Sequence, residues 1–125
     1  LHITPGTSLN GLEAVARQSA GALAILLDSA TSDRLGGTGA THDWSVSGEI
    51  VRLSPVPVIL AGGLWRDNVR AAITQVRPAG IDLNTGAREQ RDRHRPQSAA
   101  RVRELVQEVR AVEARLPAPK LSLAW

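Results

Sequence analysis

The chain has 125 residues, 42% hydrophobic and 22% charged, a composition that fits one modest globular domain. It contains no cysteine, which excludes a disulfide framework, a thiolate metal site and a cysteine nucleophile within these residues. The formal net charge is +3, from 15 basic against 12 acidic residues, and Lys120 is the only lysine. Arginine suits phosphate recognition because its planar fork bonds two oxygens at once, although a coding bias toward arginine and alanine accounts for the same composition. No apolar run approaches the ~20 residues that span a bilayer, and the first residues carry no signal pattern, so a cytoplasmic protein with no membrane partner is expected. The chain begins at Leu1 rather than methionine and is read as continuing an upstream segment.

Leu1 to Thr4 is a short apolar run closed by Pro5-Gly6-Thr7, after which Ser8 caps a helix with Leu9, Leu12, Val15 and Ala16 on one side. Gly21 closes that helix. The continuous apolar run Ala22-Leu23-Ala24-Ile25-Leu26-Leu27 then predicts a strand buried on both faces of a parallel sheet. Ser29 to Thr41 reads as a loop containing Gly36-Gly37-Thr38-Gly39, and Asp43 offers an N-cap to a helix carrying Trp44, Ile50, Val51 and Leu53. Val56 to Leu60 forms the third strand and runs into Ala61-Gly62-Gly63.

Val69, Ala72, Ile73 and Val76 follow the i, i+3, i+4, i+7 spacing of a buried helical face, and Pro78 ends that helix. Gly80 to Leu83 is the fourth strand, running into Asn84-Thr85-Gly86. The longest helix has Val102, Leu105, Val106, Val109, Val112 and Leu116 as its apolar stripe, stopped by Pro117 and Pro119. The order is strand then helix, four times over, in one domain of residues 1–116 with a tail of residues 117–125. Such crossover units place helices outside a parallel sheet.

Two neighbouring strands thus end in glycine steps. Glycines at the carboxyl ends of parallel strands let backbone N–H groups approach an anion with no Cβ in the way, and a following helix start adds its positive end. In an eight-stranded β/α barrel the loops after the last two strands form the common phosphate site. Asp28 closes the second strand, where barrel enzymes place catalytic groups, and it has two readings. It is either a proton donor held against an apolar strand end, or a carboxylate bonding backbone N–H groups of the following turn.

These segments, taken with Thr41-His42-Asp43-Trp44, Pro57 to Leu64, Asn68-Val69, Val76-Arg77-Pro78 and Asp82 to Gly86, occur in an order and spacing that resembles the C-terminal half of phosphoribosylanthranilate isomerase. The resemblance reaches from the first residues to about Val106. It implies strands five to eight of a (β/α)₈ barrel and an isomerase of tryptophan biosynthesis that works without cofactor or metal. In that family a general acid protonates the furanose ring oxygen to open the sugar, and a general base then removes the C2′ proton, giving an enolamine that becomes the ketone. By resemblance Asp28 matches the acid. Gly62, Gly63, Asn84, Thr85 and Gly86 match the phosphate cradle, and Asp82 matches an aspartate near the ribose hydroxyls.

The family's base is a cysteine on the first barrel strand, and an arginine of the first half binds the anthranilate carboxylate. Neither has a counterpart in this chain, which on this reading does not isomerise the substrate alone and pairs with an N-terminal half or with itself. Other departures are Ala40 in place of a usual lysine, His42 in place of phenylalanine, and Trp65-Arg66 in place of an Asn-Pro helix opening. Asn84-Thr85-Gly86-Ala87-Arg88 stands where Ser-Ser-Gly-Val-Glu is usual, reversing a charge. The alternative is a non-catalytic or diverged sugar-phosphate-binding half-barrel that associates with another chain.

His2, His42 and His94 are too scattered for a metal-ligand spacing, and no metal is expected. Trp65 either stacks on a substrate ring or covers apolar surface. Arg88, Arg91, Arg93 and Arg95 suggest a nucleic-acid patch, but interspersed Glu89 and Asp92 and the lack of interleaved aromatics favour a solvated loop and no nucleic-acid partner.

Overall fold

The computed structural model describes residues 2–3, 19, 21–29, 44–92 and 94–117. Four strands form one sheet whose spatial order is their chain order: β1 (His2–Ile3), β2 (Ile25–Ser29), β3 (Val58–Leu60) and β4 (Gly80–Ile81). Every neighbouring pair is parallel, and a parallel pair needs a crossover. Helix α1 (Trp44–Leu53) lies between β2 and β3, α2 (Arg66–Val76) between β3 and β4, and α3 (Ala99–Glu113) follows β4. The alternation of parallel strands and helices is the one expected from the pattern. The proposed helix from Ser8, the loop containing Gly36-Gly37-Thr38-Gly39, His42 and Asp43 lie outside the described residues.

Strand side chains alternate between faces, and burial separates the faces here. Ile25 and Leu27 of β2 are buried, as are Val58 and Leu60 of β3, and they pack with Ile50 of α1, Leu64, and Ala72 and Val76 of α2. A second cluster joins Val69 and Ile73 of α2 to Leu105 and Val112 of α3 and to Ala87. Fully burying each large apolar side chain stabilises the fold by roughly 1.5–3 kcal/mol, so these clusters hold the helices on one side of the sheet.

The other face is less covered. Leu26 pairs in register with Ile59, and Ile59 with Gly80. Leu26 is 44% exposed and Leu23 is 97% exposed, so the expectation of a strand from Ala22 buried on both faces is corrected. Pairing begins only at Ile25, because the preceding apolar residues face no described partner. Strands three and four are likewise shorter than read, starting at Val58 and ending at Ile81.

All four spaced residues of α2 are buried. Its C-cap is Arg77 in the left-handed region (φ 60°), whose N–H donates to the Ile73 carbonyl at 2.9 Å, with Pro78 next. On α3 the stripe is narrower than expected. Leu105 and Val112 are buried, whereas Val102 and Val106 are exposed, because only one line of the helix meets α2. Arg66 reaches Glu104 at 3.6 Å and Arg70 reaches Glu108 at 2.5 Å. Both partners advance four residues together, which makes α2 and α3 parallel neighbours, as successive β/α units require.

Candidate active site

The carboxyl ends of β2, β3 and β4 come into one line. The ladder continues beyond the strands, with the Ala61 N–H donating to the Leu27 carbonyl at 2.6 Å and the Asp82 N–H to the Leu60 carbonyl at 2.8 Å. Extending the register by one step sets Asp28 beside Ala61 and Ala61 beside Asp82. Asp28 lies two residues beyond Leu26 on β2 and therefore shares its face, opposite the helices. Asp28 is half-buried and Asp82 exposed. Two carboxylates thus stand on one level, at the ends of β2 and β4 with Ala61 at the end of β3 between them, at the edge of the sheet from which both glycine steps leave.

The first glycine step needs glycine. Gly62 and Gly63 have φ of 85° and 63°, a conformation in which a Cβ meets the following carbonyl. After them Leu64 is buried and Trp65 is extended, and α2 begins. The departure at Trp65-Arg66 removes the usual capping side chain, but Asn68 replaces it from inside the helix. Its Oδ1 accepts the Trp65 N–H at 2.8 Å, and its Nδ2 donates to the Gly63 carbonyl at 2.9 Å. This is the reach-back half of a capping box, formed with asparagine. Sequence reasoning missed this role, although a polar residue at the third helical position was the signal available.

The second step is a tight 3₁₀ turn over Thr85–Ala87. It is closed by the Ala87 N–H on the Asn84 carbonyl at 3.2 Å and the Arg88 N–H on the Thr85 carbonyl at 3.1 Å. Gly86 is buried in it. A Cβ at Gly86 would run into the Leu64 carbonyl oxygen and lie 3.0 Å from the Trp65 Cα. The two loops therefore touch backbone to backbone, and that contact accounts for the missing side chain at Gly86.

Beyond it the chain folds back. Arg88 bridges antiparallel to Gln97, and the Ser98 N–H donates to the Ala87 carbonyl at 2.9 Å. Within this loop Gln90 and Arg91 both have φ of 53°, an uncommon conformation for side chains with a Cβ. It carries the Arg91 guanidinium over the Trp65 ring, 4.0 Å from its centroid, a cation–π contact. Arg88 donates from Nε to Asn84 Oδ1 at 2.8 Å and from Nη1 to the Arg95 carbonyl at 2.7 Å. Arg88 thus makes its contacts inside its own loop and Arg91 makes its contact with Trp65 at the start of α2; Arg93 lies outside the described residues. The His94 N–H is bonded to Asp92 Oδ1 at 2.9 Å. Among the described residues no group of three or more His, Asp or Glu side chains is placed to hold a metal ion, and no helix is long and apolar enough to cross a membrane.

Residues 2–108 match the family model described as N-(5'phosphoribosyl)anthranilate (PRA) isomerase. The chain belongs to the PRA isomerase family. It is 46% identical over 99 residues to the N-(5'-phosphoribosyl)anthranilate isomerase of Methanocella arvoryzae, covering 78% of this chain and 45% of that one. The enzyme of the same name from Pseudomonas putida is 44% identical over 89 residues, covering 71% of this chain and 40% of that one.

Two solved PRA isomerases share the fold. The protein from Thermococcus kodakaraensis superposes with a TM-score of 0.64 at 29% identity over 87% of this chain, and that from Pyrococcus furiosus with 0.60 at 26% identity over 89%. Each match covers 50% of the solved chain. The chain spans about half the length of the PRA isomerases it matches.

Proposed function

We propose that this chain is the C-terminal half of a PRA isomerase barrel, contributing the general acid and the phosphate grip of the Amadori rearrangement. The observation that carries the reading is the common strand-end line. By extension of the register Asp28 and Asp82 lie on one level of the same sheet face, with Ala61 between them, and the Gly62-Gly63 and Asn84-Thr85-Gly86 turns leave from that same end. A barrel enzyme needs its reactive groups and its anion site on the carboxyl side of the strands.

In this assignment the backbone N–H groups of Gly62 and Gly63, bare of Cβ, and the turn at Asn84, Thr85 and Gly86 hold the phosphate. Asp82 faces the ribose hydroxyls. Asp28, half-buried on the face that a complete barrel encloses, donates its proton to the furanose ring oxygen as the ring C–O bond breaks. The C2′ proton then leaves to a base. The family's base is a cysteine, and this chain has none, so the base comes from a first-half segment docked against β1, β4 and the Leu26–Ile59 face. Docking also covers the apolar surface that Leu23 and Leu26 expose.

The test is reconstitution. The 125-residue chain alone is expected to turn over no N-(5-phosphoribosyl)anthranilate. Mixing or co-expressing it with the first half of the Methanocella arvoryzae enzyme is expected to produce turnover. Activity of the chain alone would contradict the half-barrel assignment. An assembled but inactive barrel would favour the non-catalytic reading.

A further inference from the structure

The side chain of Asn84 has two unlike ends, a carbonyl that only accepts hydrogen bonds and an NH₂ that only donates. Arg88 Nε lies 2.8 Å from one of them. A guanidinium has donors alone, so the end facing Arg88 must be the carbonyl oxygen, and the NH₂ is turned away from it. Arg88 cannot swing freely to release this arrangement. Its Nη1 is bonded to the Arg95 carbonyl at 2.7 Å, and its backbone N–H closes the turn on Thr85. The turn itself is seated on the first glycine loop through Gly86 and Leu64, and Asn84 is solvent-exposed at its head. An amide fixed in this sense turns two N–H donors away from Arg88, at the head of the turn assigned to the proposed cradle.

Resting on the phosphate reading above, we propose that Arg88 is a positioning residue of the anion site. It locks the Asn84 amide with its NH₂ outward, so that this NH₂ bonds the phosphate of a sugar-phosphate ligand. The guanidinium acts through Asn84 more than through its own charge, because its Nε and Nη1 are engaged with loop carbonyls. A lysine at position 88 keeps the charge but cannot hold Asn84 and Arg95 at the two prongs of a planar fork.

The experiment is a titration of the ¹⁵N-labelled 125-residue chain with inorganic phosphate, following the amide signals of Gly62 and Gly63 and the side-chain NH₂ of Asn84. All three are expected to move together with one dissociation constant. Arg88→Met, Arg88→Lys and Asn84→Ala are each expected to weaken binding roughly tenfold, the scale of one lost hydrogen bond to a charged group. In Arg88→Met and Arg88→Lys the Asn84 NH₂ signal should stop responding. The double variant should bind no more weakly than Asn84→Ala alone. Unchanged affinity in Arg88→Lys, or an undiminished effect of Arg88→Met in the Asn84→Ala background, would overturn the proposal, since Arg88 would then act by charge. Glycine signals that move while the Asn84 NH₂ of the unaltered chain does not would overturn it alone. Glycine signals that stay still would overturn the phosphate reading itself.

Discussion

The side-chain amide of Asn68 bridges Gly63 and Trp65, donating to the carbonyl of the first at 2.9 Å and accepting the N–H of the second at 2.8 Å. One side chain thereby sets both the exit of the left-handed glycine pair and the first turn of α2. Asn68→Ala removes both bonds. It is expected to cost about 1–2 kcal/mol of stability, read as a fall in Tm of several degrees. In a reconstituted barrel it should raise KM more than it lowers kcat, because the loosened groups belong to the proposed phosphate cradle and not to the proposed proton-transfer group. An unchanged Tm together with an unchanged KM would remove the clamp from the account.

Gly86 and Gly80 give a matched pair of substitutions. A Cβ on Gly86 meets the Leu64 carbonyl oxygen, which is backbone and cannot rotate aside, whereas a Cβ on Gly80 lies 3.8 Å from Ile59 Cγ1 in ordinary contact. Gly86→Ala should therefore destabilise the chain by about 1–3 kcal/mol and separate the two loops. Gly80→Ala should stay within about 0.5 kcal/mol of the unaltered chain. Chemical denaturation of the two variants side by side checks this, and equal midpoints would mean that the loops are not in backbone contact.

The architecture was legible wherever burial follows chain periodicity. The spacing of Val69, Ala72, Ile73 and Val76 identified the buried face of α2 residue by residue, because that helix packs against both the sheet and α3. The same logic overreached at Val102 and Val106. A stripe of apolar residues says which side of a helix prefers burial, but how much surface a neighbour covers is decided by the packing. At Ala22 to Ala24 an apolar run was indistinguishable from a strand, since hydrophobicity alone does not report where pairing begins. Asp28 and the two glycine steps were placed at strand ends because strand ends and turns carry local signatures, whereas Asp82 was singled out by the resemblance alone. Asn68 and the Arg91–Trp65 stack were not, because each joins groups across a turn, and the path to Arg91 runs through Gln90 and Arg91 at positive φ, which sequence preference argues against.

Leu26 tests the uncovered face. It is 44% exposed on a strand whose neighbours Ile25 and Leu27 are buried, and it stands in register with Ile59. On the half-barrel reading the isolated chain should form dimers or larger assemblies through this face and its edges. Leu26→Ser should shift the population toward monomer without unfolding α2 or α3. Multi-angle light scattering with circular dichroism reads both quantities, and a monodisperse monomer for the unaltered chain would contradict the proposal.

The most direct measurement is the turnover of a reconstituted barrel in which Asp28 is changed to Asn. The amide keeps the size of the carboxyl group and its place on the face shared with Leu26, but it cannot donate a proton to the ring oxygen. A fall in kcat of about 10²–10⁴-fold is expected, with inorganic phosphate still binding at Gly62 and Gly63. Turnover equal to that of the unaltered barrel would contradict the assignment of Asp28 as the general acid.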